Sequence, residues 1–365
     1  MEIGIIGLAK CGKTTIFNAL SNGTAVVSPY SRASKPNLGV AKVNDHRLTK
    51  MIELFKPQRE VHAEVRYVDF PSNPETPDRS QAITGELLNM LEGSDAILQV
   101  VRAFQDSSVP HPELTVDPHR DLETMDMELA FADLGILERR INRLDSELKS
   151  ARTSEKETRL RERNILQRIK DALESGTPIR EQTLSDEELK LLENFRFITA
   201  KPILIVWNIG EDDIAQRSQI EEDINAKYSR PNVEGIVVCG KLEMELMEMN
   251  DDDKIEFRNA LGIHDSGLDR AIRESYKILG LVSFFTVGSD EVKAWTISSD
   301  TTVIKAAGKI HSDIERGFIR AEVISYDDFL RCGTLAEGKK KGLLRLEGKT
   351  YKVQDGDIVT ILFNV

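Results

Sequence analysis

No stretch of the chain is long and apolar enough to span a bilayer, and the opening Met-Glu-Ile-Gly-Ile-Ile-Gly has no basic segment ahead of it. Membrane insertion and secretion are therefore not expected. Cysteine is scarce: Cys11, Cys239 and Cys332 are far apart and odd in number among 365 residues, which gives neither a disulfide framework nor a paired metal spacing. A reducing cytoplasm suits that usage. Positive charge is not in excess, since 49 Lys and Arg against 61 Asp and Glu leave a net charge of −12. Coating nucleic acid through bulk charge is disfavoured, although a local basic patch remains compatible. Repeats and low-complexity segments are absent as well. What is present is 40% apolar and 30% charged residues, an ordinary globular balance, in a length that suggests two or three domains.

The chain then divides by pattern. Ile3 to Ile6, Val65 to Asp69, Ala96 to Val101, Ile203 to Trp207 and Gly235 to Val238 read as short strands, and Thr14 to Leu20 opens a helix. Short apolar runs separated by helical segments predict an α/β fold with a largely parallel sheet covered on both faces. From about Asp121 to Asn194 the chain is highly charged, with Phe131, Leu134, Leu137, Ile141, Leu144 and Leu148 at helical or heptad spacing. Leu166, Ile169 and Leu173 resume the pattern after a polar break, which predicts two long antiparallel helices. A projecting coiled-coil arm and an amphipathic hairpin packed on the core both satisfy the spacing; the arm is preferred. The last part, from Val282, alternates short strands with turns at Glu347-Gly348-Lys349 and Gln354-Asp355-Gly356-Asp357, as in a small β-rich domain. The expected domains are 1–120 with 198–281, an insertion at 121–197, and 282–365.

Gly7-Leu8-Ala9-Lys10-Cys11-Gly12-Lys13-Thr14 fits G-x-x-x-x-G-K-[ST] and stands between a strand and a helix, as a phosphate loop requires. Backbone N–H groups from Gly7 through Lys10, Cys11 and Gly12 to Thr15 can close around phosphate oxygens at the positive end of the helix. Lys13 is placed to reach the β and γ phosphates, and Thr14 offers a hydroxyl to Mg²⁺. A second metal-holding carboxylate is expected at a neighbouring strand end, where Asp69 stands. The fourth strand runs into Asn208-Ile209-Gly210-Glu211, where a GTPase would have Asn-Lys-x-Asp. Ile209 replaces the Lys, and Glu211 is a methylene longer than the aspartate that accepts the two guanine donors; ATP is therefore expected over GTP. Cys239-Gly240-Lys241 occupies the place of the loop that closes over the base.

The chain resembles the YchF / Obg-like ATPase family over nearly its whole length. The resemblance is carried by Pro36-Asn37-Leu38-Gly39-Val40, Val100-Val101-Arg102-Ala103-Phe104, Asn208 to Glu211 and Cys239-Gly240-Lys241-Leu242-Glu243. It is densest in Phe285-Thr286-Val287-Gly288, Ala294-Trp295-Thr296-Ile297, the run from His311 to Glu322 and Val353-Gln354-Asp355-Gly356-Asp357. It implies a P-loop NTPase domain interrupted by a helical coiled-coil arm and followed by a C-terminal TGS domain, with the ribosome as partner. It also implies a catalytic histidine on a mobile loop, and His111, seven residues after Phe104 and flanked by Pro110 and Pro112, has the matching spacing.

Three departures from the family pattern stand out. Lys10 replaces an Asn that helps hold a monovalent cation, and a tethered ammonium could stabilise the charge gathering on the transferring phosphate. Ala33-Ser34-Lys35 lacks the switch I threonine, with Ser34 as a neighbouring substitute, and Asp69-Phe70-Pro71-Ser72-Asn73 lacks the switch II glycine, leaving the Ser72 N–H. The expectation is a Mg²⁺-dependent, slow ATPase acting as a switch linked to the ribosome; a nucleotide-sensing module that hardly hydrolyses is the alternative. Lys339, Lys340, Lys341, Arg345 and Lys349, with His311, Arg316 and Arg320 as possible extensions, form a window able to meet RNA phosphates or merely to guard a solvated hairpin edge. DNA sequence recognition is not expected.

Overall fold

The computed structural model describes residues 1–21, 23, 36–70, 85–150, 152–263 and 265–364. Its strands are β1 (Glu2–Ile6), β2 (Asn37–Lys42), β3 (Arg59–Val61), β4 (Glu64–Asp69), β5 (Ala96–Arg102) and β6 (Ile203–Asn208). They continue with β7 (Val233–Val238), β8 (Leu281–Val287), β9 (Glu291–Ser298), β10 (Phe318–Ser325), β11 (Arg345–Glu347) and β12 (Asp357–Phe363). All five expected strands lie in one six-stranded sheet of order β2-β4-β1-β5-β6-β7. The β4-β1, β1-β5, β5-β6 and β6-β7 pairings are parallel. Every residue of β5 and β6 is buried, so their continuous apolar runs are those of strands covered on both faces. Strand order reverses at β1, and ligands of such sheets bind in the crevice beyond the strands' carboxyl ends at that point. Register aligns Ile5 with Asp69 and Arg102 with Asn208, which brings the chemistry-bearing strand ends to one edge.

Two compact units result, Met1–Val40 with Arg66–Ala271, and Ala41–Val65 with Ile272–Val365. The second unit differs from the expected 282–365 in two ways: 41–65 belongs to it, and its C-terminal part begins at Ile272. Its six-stranded sheet runs β11-β10-β12-β8-β9-β3, with β3 parallel to β9 through Arg59↔Glu291 to Val61↔Lys293. Arg47, on the helix His46–Phe55, bonds both Asp45 and Asp355 at 2.7 Å, and Phe55 stacks on Phe329 at 5.5 Å. A three-residue polar strand leaves no periodic trace, which is why sequence reading kept this segment with its chain neighbours.

The helical insertion is present as Pro118–Ser150 and Thr153–Glu174. The boundary expected at 121 falls inside a continuous helix. Leu122, Met125 and Leu129 on its first turns join the core of the parallel sheet. Leu137, Ile141 and Leu144 meet Leu166, Ile169 and Leu173 in a separate core. The same helix thus packs on the domain at its root and forms a hairpin beyond it. Asp133 pins the root, accepting from Ile198 N (3.0 Å), Thr199 N (2.7 Å) and Thr199 Oγ1 (2.6 Å). Phe131, expected in the apolar stripe, is 67% exposed.

Candidate functional site

The phosphate loop leaves β1 at Gly7 and enters the helix Lys13–Ser21. Two glycines are required sterically. Gly7 (φ 149°) would set a Cβ 2.3 Å from the Val100 carbonyl oxygen, and Gly12 (φ 97°) would set one 2.2 Å from Asn208 Nδ2. Lys10 also has positive φ, at 63°, in the left-handed region where Asn is enriched and a long side chain is uncommon. Its half-buried side chain has no hydrogen-bond or ion-pair partner among the described residues. The Lys13 ammonium is buried and donates to the carbonyls of Gly7 (2.8 Å) and Leu8 (2.9 Å), spanning the loop that it closes.

Thr14 Oγ1 donates to Asp69 Oδ2 at 2.9 Å, and Asn37 Nδ2 donates to the same oxygen at 3.1 Å. Asp69 is 3% exposed, and its Oδ1 is buried without a hydrogen-bond partner among the described residues. Burial pushes the Asp69 carboxyl above its ordinary value, against the opposing pull of Asn37, Thr14 and Lys13. A hydroxyl that donates to a carboxylate still has its lone pairs, so Thr14 and the bare Oδ1 present hard oxygens that suit Mg²⁺. The residues present therefore fit the metal. Among the described residues no three acidic, histidine or cysteine side chains gather as a metal cage.

Asn208 is engaged at both ends of its amide. Nδ2 donates to the Cys11 carbonyl (3.0 Å), and Oδ1 accepts from Gly240 N (3.0 Å). It ties the phosphate loop to the segment Cys239-Gly240-Lys241, a role that a turn-forming strand end does not reveal in sequence. A Cβ on Gly240 would lie 3.0 Å from Ile16, 3.1 Å from Asn208 Oδ1 and 3.4 Å from the Thr15 methyl, so the side chains of the neighbouring helix and strand end crowd against it. Glu211 and Lys241, 30 residues apart, pair at 2.5 Å. The Cys11 and Cys239 thiols are buried, and burial raises both above the usual thiol value, so neither is an activated nucleophile.

His111 is 8% exposed, with Nδ1 accepting from Glu113 N (3.0 Å) and Nε2 2.7 Å from Asp121 Oδ2. Accepting at Nδ1 places the ring proton on Nε2, facing Asp121, whose other oxygen accepts from Arg120. Both nitrogens are occupied, so a water-positioning role requires the pair to open. Arg102, singled out in the sequence only by the resemblance, is 1% exposed and lies over the Phe104 ring at 4.4 Å. Ser34 and Ser72, the substitutes expected in the two switches, lie outside the described residues.

In the C-terminal unit the basic window is interleaved with carboxylates. Lys340 pairs with Glu337 (2.7 Å), Lys339 with Glu322 (3.4 Å), and Arg345 with Glu347 (3.6 Å). Arg316 bonds Asp313. Exposed pairs of this kind hold weakly and exchange readily.

The 50S ribosome-binding GTPase family matches residues 2–133, and the YchF-GTPase C-terminal family, described as a protein of unknown function, matches residues 281–364. The chain is 40% identical over 368 residues to the ribosome-binding ATPase YchF of Bacillus subtilis, covering all of both chains. It is 36% identical over 370 residues to the protein of that name in Escherichia coli O157:H7, covering all of this chain and 99% of the other. The structure of the Schizosaccharomyces pombe YchF GTPase superposes with a TM-score of 0.84 at 29% identity, covering 99% of this chain and 97% of that one.

Proposed function

The chain belongs to the YchF family, and on that footing we propose that it is a P-loop ATPase that binds and hydrolyses ATP as a switch on the ribosome. The observation that carries the reading is the junction of Lys13, Thr14 and Asp69 at the carboxyl ends of β1 and β4. Lys13 moves its ammonium from the loop carbonyls to the β and γ phosphates, exchanging neutral acceptors for charged ones. The loop N–H groups hold the phosphate oxygens, and Thr14 and Asp69 hold Mg²⁺. What a metal held by these two residues would supply is neutralisation of phosphate charge. Lys10 adds a tethered cation beside the loop, and His111, once parted from Asp121, orients water for in-line attack. Glu211, held by Lys241, lines the base end, where Ile209 and a long carboxylate disfavour guanine.

Contact with the ribosome is assigned to the helical hairpin and the C-terminal unit, whose lysines can exchange weak carboxylate partners for RNA phosphates. The setting is cytoplasmic, in keeping with a chain whose described residues include no helix long and apolar enough to cross a membrane. Titration of labelled ATP and GTP, with single-turnover hydrolysis in Mg²⁺, tests the reading. ATP should bind more tightly, and Lys13→Ala should abolish tight binding while far-UV circular dichroism stays unchanged. A GTP preference would sink the base assignment, and parental affinity in Lys13→Ala would sink the phosphate site. A second reading, a nucleotide sensor that barely turns over, is favoured by the occupied nitrogens of His111; a null single-turnover result beside tight ATP binding would select it.

A further inference from the structure

Asn37 is the first residue of β2 and stands 32 positions before Asp69, yet its amide reaches the Asp69 carboxylate. The two oxygens of that carboxylate are treated unequally. Oδ2 takes both protein donors, Thr14 at 2.9 Å and Asn37 at 3.1 Å, whereas Oδ1 is buried and bare among the described residues. Two donors arriving from different elements fix the carboxylate's plane; a single donor would leave it free to turn about one contact. The Thr14 hydroxyl cannot supply that restraint alone, because the same group is a ligand of the cation. The amide can, since it offers Asp69 only its N–H and takes no part in coordination.

We infer that Asn37 is a positioning residue for the metal carboxylate: it saturates Oδ2 so that Oδ1 is the oxygen turned to Mg²⁺. This rests on the reading of Thr14 and Asp69 as the metal pair. It also assigns β2 a part in metal retention in a chain whose first switch lacks the threonine expected there. Outer partners that orient metal-ligating groups are typically worth about 10- to 100-fold in metal affinity, and the effect of Asn37 is expected at the lower end, because Thr14 remains.

The test uses the full-length protein and a fluorescent ATP analogue titrated in EDTA and across a Mg²⁺ series, with Asn37→Ala and Asp69→Ala beside the parent. In EDTA, Asn37→Ala should bind the analogue within about twofold of the parent, since the amide touches no phosphate-binding group. The Mg²⁺ concentration giving half of the metal-dependent gain should rise about tenfold. Counting bound Mn²⁺ by electron paramagnetic resonance gives a second readout that does not depend on turnover, and thermal unfolding in EDTA reports the fold. An unchanged Mg²⁺ midpoint in Asn37→Ala overturns the inference, and so does an equal loss of affinity with and without metal. If Asp69→Ala also keeps the parental midpoint, the metal pair itself is wrong and the inference falls with it.

Discussion

Replacing Asn208 by alanine separates a structural tie from a base-reading contact. The substitution leaves two backbone groups, the Cys11 carbonyl and the Gly240 N–H, without the partners they hold at 3.0 Å. Asn208 is 4% exposed, so water cannot take over without a cavity opening beside Gly12. Each buried group left unpaired costs about 1–3 kcal/mol, so the two together should make Asn208→Ala destabilise the nucleotide-free protein by about 2–6 kcal/mol. Asn208→Asp keeps the acceptor for Gly240 but sets a carboxylate oxygen against the Cys11 carbonyl, and should be no better. Because Cys11 and Gly240 belong to the two loops proposed to enclose the nucleotide, ATP and GTP should both weaken, by about tenfold for each 1.4 kcal/mol of lost preorganisation. Urea unfolding of the nucleotide-free protein gives the stability change, and parallel titrations give the affinities. A variant that loses less than about 0.5 kcal/mol, within the range of an ordinary surface change, but alters the ATP-to-GTP ratio would refute the tie and return Asn208 to base selection.

Lys10→Asn should relieve a left-handed lysine of about 1 kcal/mol of backbone strain and make hydrolysis slower in sodium, with partial recovery in potassium; strong potassium stimulation of the parent would refute the tethered-cation reading. His111→Ala should slow single-turnover hydrolysis at nearly constant ATP affinity, because a water-positioning group acts chiefly in the transition state. Asp121→Asn, which loosens the His111 pair, should not slow it, and a parental rate in His111→Ala would make the imidazole a structural strut. Glu243, 5% exposed and bonded to Gly267 N at 2.7 Å, has its carboxyl raised by burial, against the opposing pull of Arg258. A folded-state value above the unfolded one means that the fold holds the proton more tightly, so this group's contribution falls as pH rises from the unfolded value through the folded one. Urea midpoints of the parent against Glu243→Gln should diverge across that window in favour of Gln, and a difference independent of pH would contradict the assignment.

The phosphate loop, the strand-end Asp69, the five apolar strands and the two long helices are legible in the chain because each rests on local rules. Close spacing, glycines forced by backbone approach, strand runs covered on both faces and a heptad-like stripe survive without tertiary context. Contacts between residues far apart in sequence leave no such trace. The Asn37–Asp69 bond, the double use of Asn208 and the His111–Asp121 pair are fixed by which strand ends and helix roots meet, and a lone Asn or His looks the same whether solvated or held. The grouping of 41–65 with the C-terminal unit has the same cause. Arg59 to Val61 forms a strand only because β9 offers it an edge, and Arg47, held locally by Asp45, gains its second carboxylate only because Asp355 arrives 308 residues later. Local pattern therefore determined where a nucleotide would bind, and long-range packing decided how the groups around it are held.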